Sequence, residues 1–177
     1  LAFKGDVYTG LEAETLGTAQ LNFAQKHLAI LSGLYGLLRP LDVVEAYRLE
    51  MGSKVKPRGA KNLTEFWRPR LTAALNGELK TGEPVISVAA QEYVKAVDVS
   101  ALNGPVISPV FKEMMPDGAL KTAPVHAKMA RGALARFALT SGAKKTADLL
   151  AFTELGWEAS EEPPDSGPWL FTRPRRK

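Results

Sequence analysis

Apolar residues recur with helical spacing in three segments of the chain, residues 18–28, 63–75 and 124–140. Residues three or four apart share one face of a helix, so each segment carries an apolar stripe and a polar stripe. Asn62 can cap the second segment, but Pro69 within it has no amide donor. We therefore predict three amphipathic helices, the second of them kinked or restarted at Pro69.

Short apolar runs between turn signals predict strands at 84–89, 105–111 and 169–172. The sequence MPDG at 115–118 is a turn signal and predicts a hairpin after the second of these strands. Since strands and helices interleave, we predict an α+β (mixed α/β) fold. It is expected to form a single compact domain in which helices flank a mixed sheet.

Residues 31–42, LSGLYGLLRPLD, carry two glycines, Gly33 and Gly36, around Leu34 and Tyr35. Glycine lets the backbone turn tightly and lie close to a partner, because it has no Cβ. One interpretation is a tight turn between two buried segments. The other is a set of backbone amides, with the Tyr35 ring and the Arg39 guanidinium beside them, that meets a phosphate or sugar backbone.

Composition excludes several classes of protein. The chain has 177 residues, of which 45% are hydrophobic and 24% charged, as in ordinary globular domains. No apolar run approaches the ~20 residues that span a bilayer, so no membrane partner is expected. Cysteine is absent, which excludes disulfides and fits a reducing cytoplasm. The first residue is Leu1, not Met, and we expect an N-terminal segment to be missing.

Basic residues are segregated along the chain, whose net charge is +4 and whose pI is about 9.3. They gather in residues 54–70, 121–148 and 173–177, whereas acidic residues gather in 154–165. One interpretation is that folding gathers these basic residues on a positive face that attracts polyanions. The other is that basic and acidic residues end up interspersed on a solvated surface. The basic residues 173–177 are predicted to form a disordered tail after a domain over residues 1–172.

Metal and cofactor motifs are missing from the sequence. The two histidines, His27 and His126, are isolated, and metal ligands come in clusters. The sequence has no HExxH, CxxC, GxxxxGK[ST] or GxGxxG pattern. We therefore predict no metal site and no cofactor.

Two polar clusters could carry chemistry. Residues 91–95 follow a predicted buried strand, at the end where α/β proteins bind ligands. The other cluster is AYRLEMG, at 46–52. Glu92 or Glu50 beside Lys95 or Arg48 could form a catalytic pair or a structural ion pair.

Several long blocks occur in one order along most of the chain: LAFKGDVYTGLEAETL, FAQKHLAILSGLYGLLRPLD, YRLEMG, NLTEFW, AAQEYVKAV, VISPVFKE and AKMARGALARF. Together they resemble the YaaA family of bacterial peroxide-stress proteins. Members of that family are longer at the N-terminus, so the domain over 1–172 is expected to be N-terminally incomplete.

The resemblance implies a cytoplasmic protein that protects cells from hydrogen peroxide. It also implies an indirect role in iron homeostasis that limits oxidative DNA damage. The family resembles DNA-binding proteins with a positive cleft and a helix-hairpin-helix-like element, which we place on residues 31–40. That placement departs from the usual pattern, because two residues rather than one separate the glycines.

The main hypothesis is a DNA-binding protein that contacts duplex or structured DNA through its backbone or shape, with little sequence preference. Under this hypothesis, the predicted DNA-binding residues are Lys4, Gly33, Tyr35, Gly36, Arg39, Arg48, Lys95, Lys128, Arg131 and Arg136. The alternative is an enzyme acting on a small phosphorylated or nucleotide-like ligand, in a pocket lined by Lys, Arg, Tyr and Glu. We assign no catalytic residue.

Overall fold

Helices and short strands alternate through the computed structural model, which describes residues 3–160 and 163–175. The helices are α1 (Asp6–Leu11), α2 (Thr18–His27), α3 (Leu63–Glu78), α4 (Gln91–Val94) and α5 (Pro124–Thr140). The strands are β1 (Ile30–Ser32), β2 (Gly36–Leu38), β3 (Val85–Ile86), β4 (Val106–Met114), β5 (Leu120–Lys121), β6 (Glu158–Ala159) and β7 (Gly167–Pro174). Short 3-10 turns lie at Ala13–Thr15, Val99–Ala101, Thr146–Ala151 and Glu154–Gly156.

The chain divides into two compact units. The first comprises the described residues of 1–20 and 107–177, and the second comprises residues 21–106. Among the described helices, none is long and apolar enough to cross a membrane.

The first unit contains a mixed sheet. β4 runs parallel to β7, with Ile107 opposite Gly167, while β5 pairs antiparallel with β4 and β6 antiparallel with β7. Alternate residues of β4 are buried, as expected of a strand with one face on a core. The α+β fold with a mixed sheet and the hairpin after β4 are thus confirmed.

Aromatic side chains form the core beneath this sheet. Phe111, Phe152, Trp157 and Phe171 are each at most 2% exposed, and the Phe111 ring lies 5.1–6.3 Å from the other three. Such edge-to-face and offset contacts stabilise a core beyond the area that they bury.

Two glycines let α1 and α5 pack closely in the same unit. A Cβ at Gly132 would collide with the backbone carbonyl of Val7, and one at Gly10 with the carbonyl of Met129. The absence of a side chain at both positions therefore brings the two helices to backbone contact. The predicted helix over 124–140 is confirmed residue for residue.

In the second unit, α3 runs without interruption through Pro69. Asn62 Oδ1 accepts a hydrogen bond of 2.8 Å from the Glu65 amide and caps the helix as predicted. The expected restart at Pro69 is wrong: Leu63 and Leu71, on either side of it, are both buried in the unit's core. Packing on both sides holds the helix together where one backbone hydrogen bond is lost.

A helix-hairpin-helix element is not shown for residues 31–40. The segment forms a β-hairpin instead, in which β1 pairs antiparallel with β2 and Ser32 lies opposite Gly36. Gly36 has φ +80°, a conformation that glycine adopts without strain and that suits tight hairpin turns. Strand pairing on both sides of the turn replaces the helices that the resemblance implied.

The predicted basic tail begins inside the sheet. Arg173 and Pro174 belong to β7, and Arg173 is only 5% exposed. Its register places it beside Glu113 of β4, so a buried ion pair holds this residue in the core. The prediction of disorder is wrong for these two residues, and Arg176 and Lys177 lie outside the described residues.

Candidate nucleic-acid interface

The segment between β2 and α3 carries an exposed group of cations. We call residues 51–62 the basic loop, because they include four basic side chains and no acidic one: Lys54, Lys56, Arg58 and Lys61. All four are exposed. Within residues 3–160 and 163–175, none of the four forms an ion pair. Their charges are therefore available to an external anion.

Helix α3 extends this positive surface. Arg68 is exposed and donates from Nε and Nη2 to the Lys95 carbonyl, at 3.1 and 2.8 Å, which brings Lys95 beside the helix. Arg70 is also exposed and lies 4.1 Å over the Phe66 ring. An open hollow lined by Asn62, Glu65 and Arg68 lies where the loop meets the helix. We define the basic surface as Lys54, Lys56, Arg58, Lys61, Arg68, Arg70 and Lys95.

The sequence-based site list contains only Lys95 from this surface. The signal for the other six was present in the sequence as the basic run at 54–70. That run lies outside the glycine-rich hairpin and α5, which supplied most of the predicted DNA-binding residues. A stretch with six lysines and arginines and a single carboxylate, Glu65, was the more direct indicator of exposed positive charge.

The predicted cations of α5 are largely engaged within the first unit. Arg136 donates from Nη1 to the carbonyls of Leu11 and Glu12, at 3.3 and 3.1 Å, at the end of α1. Burial lowers the pKa of the Arg131 guanidinium. Only Lys128 is exposed, and its Nζ lies 3.9 Å from Asp6. After folding, Arg136 and Lys128 therefore lie beside carbonyl or carboxylate groups of the same unit and do not form a separate positive face. Lys4, just before α1, is exposed.

Two backbone amides of the glycine hairpin already have partners within the turn. Ser32 is 1% exposed, and its Oγ accepts hydrogen bonds from the Leu34 and Tyr35 amides, at 3.1 and 2.9 Å. The Gly33 carbonyl accepts from Trp67 Nε1 at 2.8 Å, and a Cβ at Gly36 would strike the same ring. These two amides and this carbonyl are therefore satisfied within the protein.

Arg39 also has internal partners. It forms an ion pair with Glu78, and its Nη1 donates to the Leu28 carbonyl at 3.0 Å. Its amide donates to Asp42 Oδ2 at 2.8 Å. The side chain is 20% exposed, which contrasts with 90% for Arg48. These contacts favour a structural role for Arg39.

We expect Arg39→Ala to lower the free energy of unfolding by about 1–2 kcal/mol, from one lost hydrogen bond and one partly exposed ion pair. The melting temperature should fall by roughly 2–4 °C for each kcal/mol in a chain of this size. Thermal unfolding of the variant measures this, with Arg48→Ala as the matched control that leaves stability unchanged. A melting temperature equal to the wild type's, with weaker DNA binding, would restore the phosphate role.

The two polar clusters seen in the sequence meet in the second unit. Glu92 Oε2 accepts a hydrogen bond of 3.0 Å from the Gly52 amide. Burial raises the pKa of the Tyr93 hydroxyl, and the Glu92 carboxylate raises it further. Glu50 Oε1 lies 3.8 Å from Arg48 Nη2, and both side chains are exposed.

In the part of the chain that the structure describes, no group of three His, Cys, Asp or Glu could hold a metal.

Comparison with known proteins places this chain in a family. The family described as "Peroxide stress protein YaaA" matches residues 1–163. A UPF0246 protein of Maricaulis maris is 48% identical over 176 residues, which cover 98% of this chain and 66% of the relative. A UPF0246 protein of Flavobacterium johnsoniae is 47% identical over 171 residues, which cover 97% of this chain and 68% of the relative.

The chain thus spans about two thirds of the length of the curated relatives that it matches. The match extends over nearly the whole of this chain, through both compact units. By this likeness the chain belongs to the YaaA family of peroxide stress proteins.

Proposed function

We propose that this member of a peroxide stress family binds DNA through the basic surface of its second unit. The observation that carries the proposal is the basic loop, whose four cations are exposed and form no ion pair in the described residues. Phosphate groups of a nucleic acid attract such a surface over several ångströms and release counterions when they bind.

The chemistry of the basic surface favours backbone contacts over base readout. Lysine and arginine on a loop and on the outer face of α3 can follow phosphates, which carry no sequence information. The hollows beside Arg68 are open, and Glu92 is tied to a backbone amide. This geometry suits an extended polyanion better than a small ligand held in a closed pocket.

We expect affinity for DNA to fall steeply with salt, because each phosphate contact adds about one to the slope of log K against log salt. Four to six contacts predict a loss of roughly 10²–10³-fold between 50 and 200 mM salt. Fluorescence anisotropy with a labelled 20-base-pair duplex, repeated with a second duplex of unrelated sequence, measures both slope and specificity. An affinity that is flat with salt, or absent at 50 mM, would refute the proposal.

A further inference from the structure

We propose that the tip of the β1–β2 hairpin, Leu34 and Tyr35, stacks on an unpaired base of DNA held by the basic surface. This inference rests on the function proposed above and assigns a role to side chains that contribute no charge. It gives the protein a reason to prefer DNA with an unpaired base over a fully paired duplex.

The tip offers its side chains, because the amides of Leu34 and Tyr35 already have partners. Ser32 Oγ already accepts from the Leu34 and Tyr35 amides, and Ser32 is buried. A phosphate at the turn would have to displace these bonds. What the tip presents to solvent is apolar: Leu34 is 46% exposed and Tyr35 37%.

Contacts with neighbouring residues hold the tip in place. Ser32 Oγ lies 2.5 Å from the Tyr47 hydroxyl, and the Tyr47 ring meets the Tyr35 ring edge-on at 5.4 Å. The Tyr35 hydroxyl accepts a hydrogen bond of 3.3 Å from the Glu45 amide. An aromatic ring fixed in this way loses little conformational entropy when a base packs on it.

Two exposed cations directly adjoin, along the chain, the residues that contact the hairpin turn. Arg48 directly follows Tyr47 and is 90% exposed. Trp67, which binds the Gly33 carbonyl, directly precedes Arg68 of the basic surface. An aromatic platform beside cations that hold phosphates is how proteins bind unpaired nucleotides without reading their sequence.

The experiment compares a duplex carrying one bulged 2-aminopurine with the same duplex fully paired, by anisotropy and by 2-aminopurine fluorescence. Wild-type protein should bind the bulged duplex more tightly and quench its fluorescence. Tyr35→Ala should lose about 5- to 100-fold in affinity for the bulged duplex, with little change for the paired one. Tyr35→Phe should keep most of the preference, because it keeps the ring. Phe23→Ala, which removes another exposed aromatic of the second unit, is the matched control.

The outcomes separate this inference from the proposed function. If wild-type protein binds neither duplex, the proposed function fails. If Tyr35→Ala and Leu34→Ala leave the preference and the quenching unchanged, or weaken both duplexes equally, the stacking role is overturned while DNA binding stands. Leu34→Ala keeps the test valid if Tyr35→Ala does not fold. Tighter binding of the matching bulged RNA would overturn DNA as the ligand.

Discussion

Reversal of three loop charges, in the variant Lys54→Glu/Lys56→Glu/Arg58→Glu, should weaken DNA binding by roughly 500-fold at 0.1 M salt. The physical reason is counterion release: with a slope of about 0.9 per phosphate, each contact contributes roughly 8-fold at that salt concentration. The slope itself should fall by about three. Since these side chains are exposed, the melting temperature should change little.

The matched control reverses three other exposed lysines, in Lys121→Glu/Lys144→Glu/Lys145→Glu. Both variants change the net charge by the same amount, so any difference between them reports position rather than total charge. We expect the control to keep most of the affinity. Equal losses in the two variants would show a diffuse attraction and contradict a binding surface on the basic loop.

Removal of the buried cation of β7, in Arg173→Met, should cost about 3–5 kcal/mol of unfolding free energy, because the buried Glu113 carboxylate loses its arginine partner. Arg173 donates from Nε and Nη2 to Glu113 Oε1, at 3.1 and 2.7 Å, and both residues are 5% exposed. His126 Nδ1 lies 2.8 Å from the same oxygen. Urea unfolding of the variant measures the loss.

Arg175→Ala serves as the control for this substitution, because Arg175 is a neighbouring exposed arginine and should cost little. The double variant Glu113→Leu/Arg173→Met should recover much of the stability, since replacing both members of a buried pair avoids an unpaired charge. A single Arg173→Met variant as stable as the wild type would contradict the ion pair.

The same carboxylate should make stability depend on pH in acid. Burial by itself raises the pKa of Glu113, but hydrogen bonds from Arg173 and His126 outweigh it, so its pKa lies below the ordinary value. A lowered folded-state pKa contributes stability that is complete above the unfolded value, about 4.3, and is lost as pH falls through the folded value.

The unfolding free energy of wild type minus that of Glu113→Gln should therefore shrink as the pH falls from about 5 to 3. Urea titrations across this range give both values. A difference in unfolding free energy that grows as the pH falls would contradict a lowered pKa for Glu113.

The sequence by itself determined the elements whose signals are local. Pro124 at the start and apolar residues at helical spacing define α5, and both bounds agree with the structure. The MPDG turn defines the hairpin after β4, where the Gly118 amide donates to the Met115 carbonyl. The charge run at 54–70 indicated the basic loop, since lysines without nearby carboxylates stay in water.

The tertiary structure alone decided which charges remain free. Arg39 pairs with Glu78, Arg136 with the end of α1, and Arg173 with Glu113, each partner lying at least 39 residues away along the chain. It also decided that residues 31–40 pair as strands, because Tyr47 and Trp67, from other segments, bind Ser32 and the Gly33 carbonyl. A local pattern fixes the exposure of a loop or the period of a helix, whereas the partner of a charge depends on how distant segments pack.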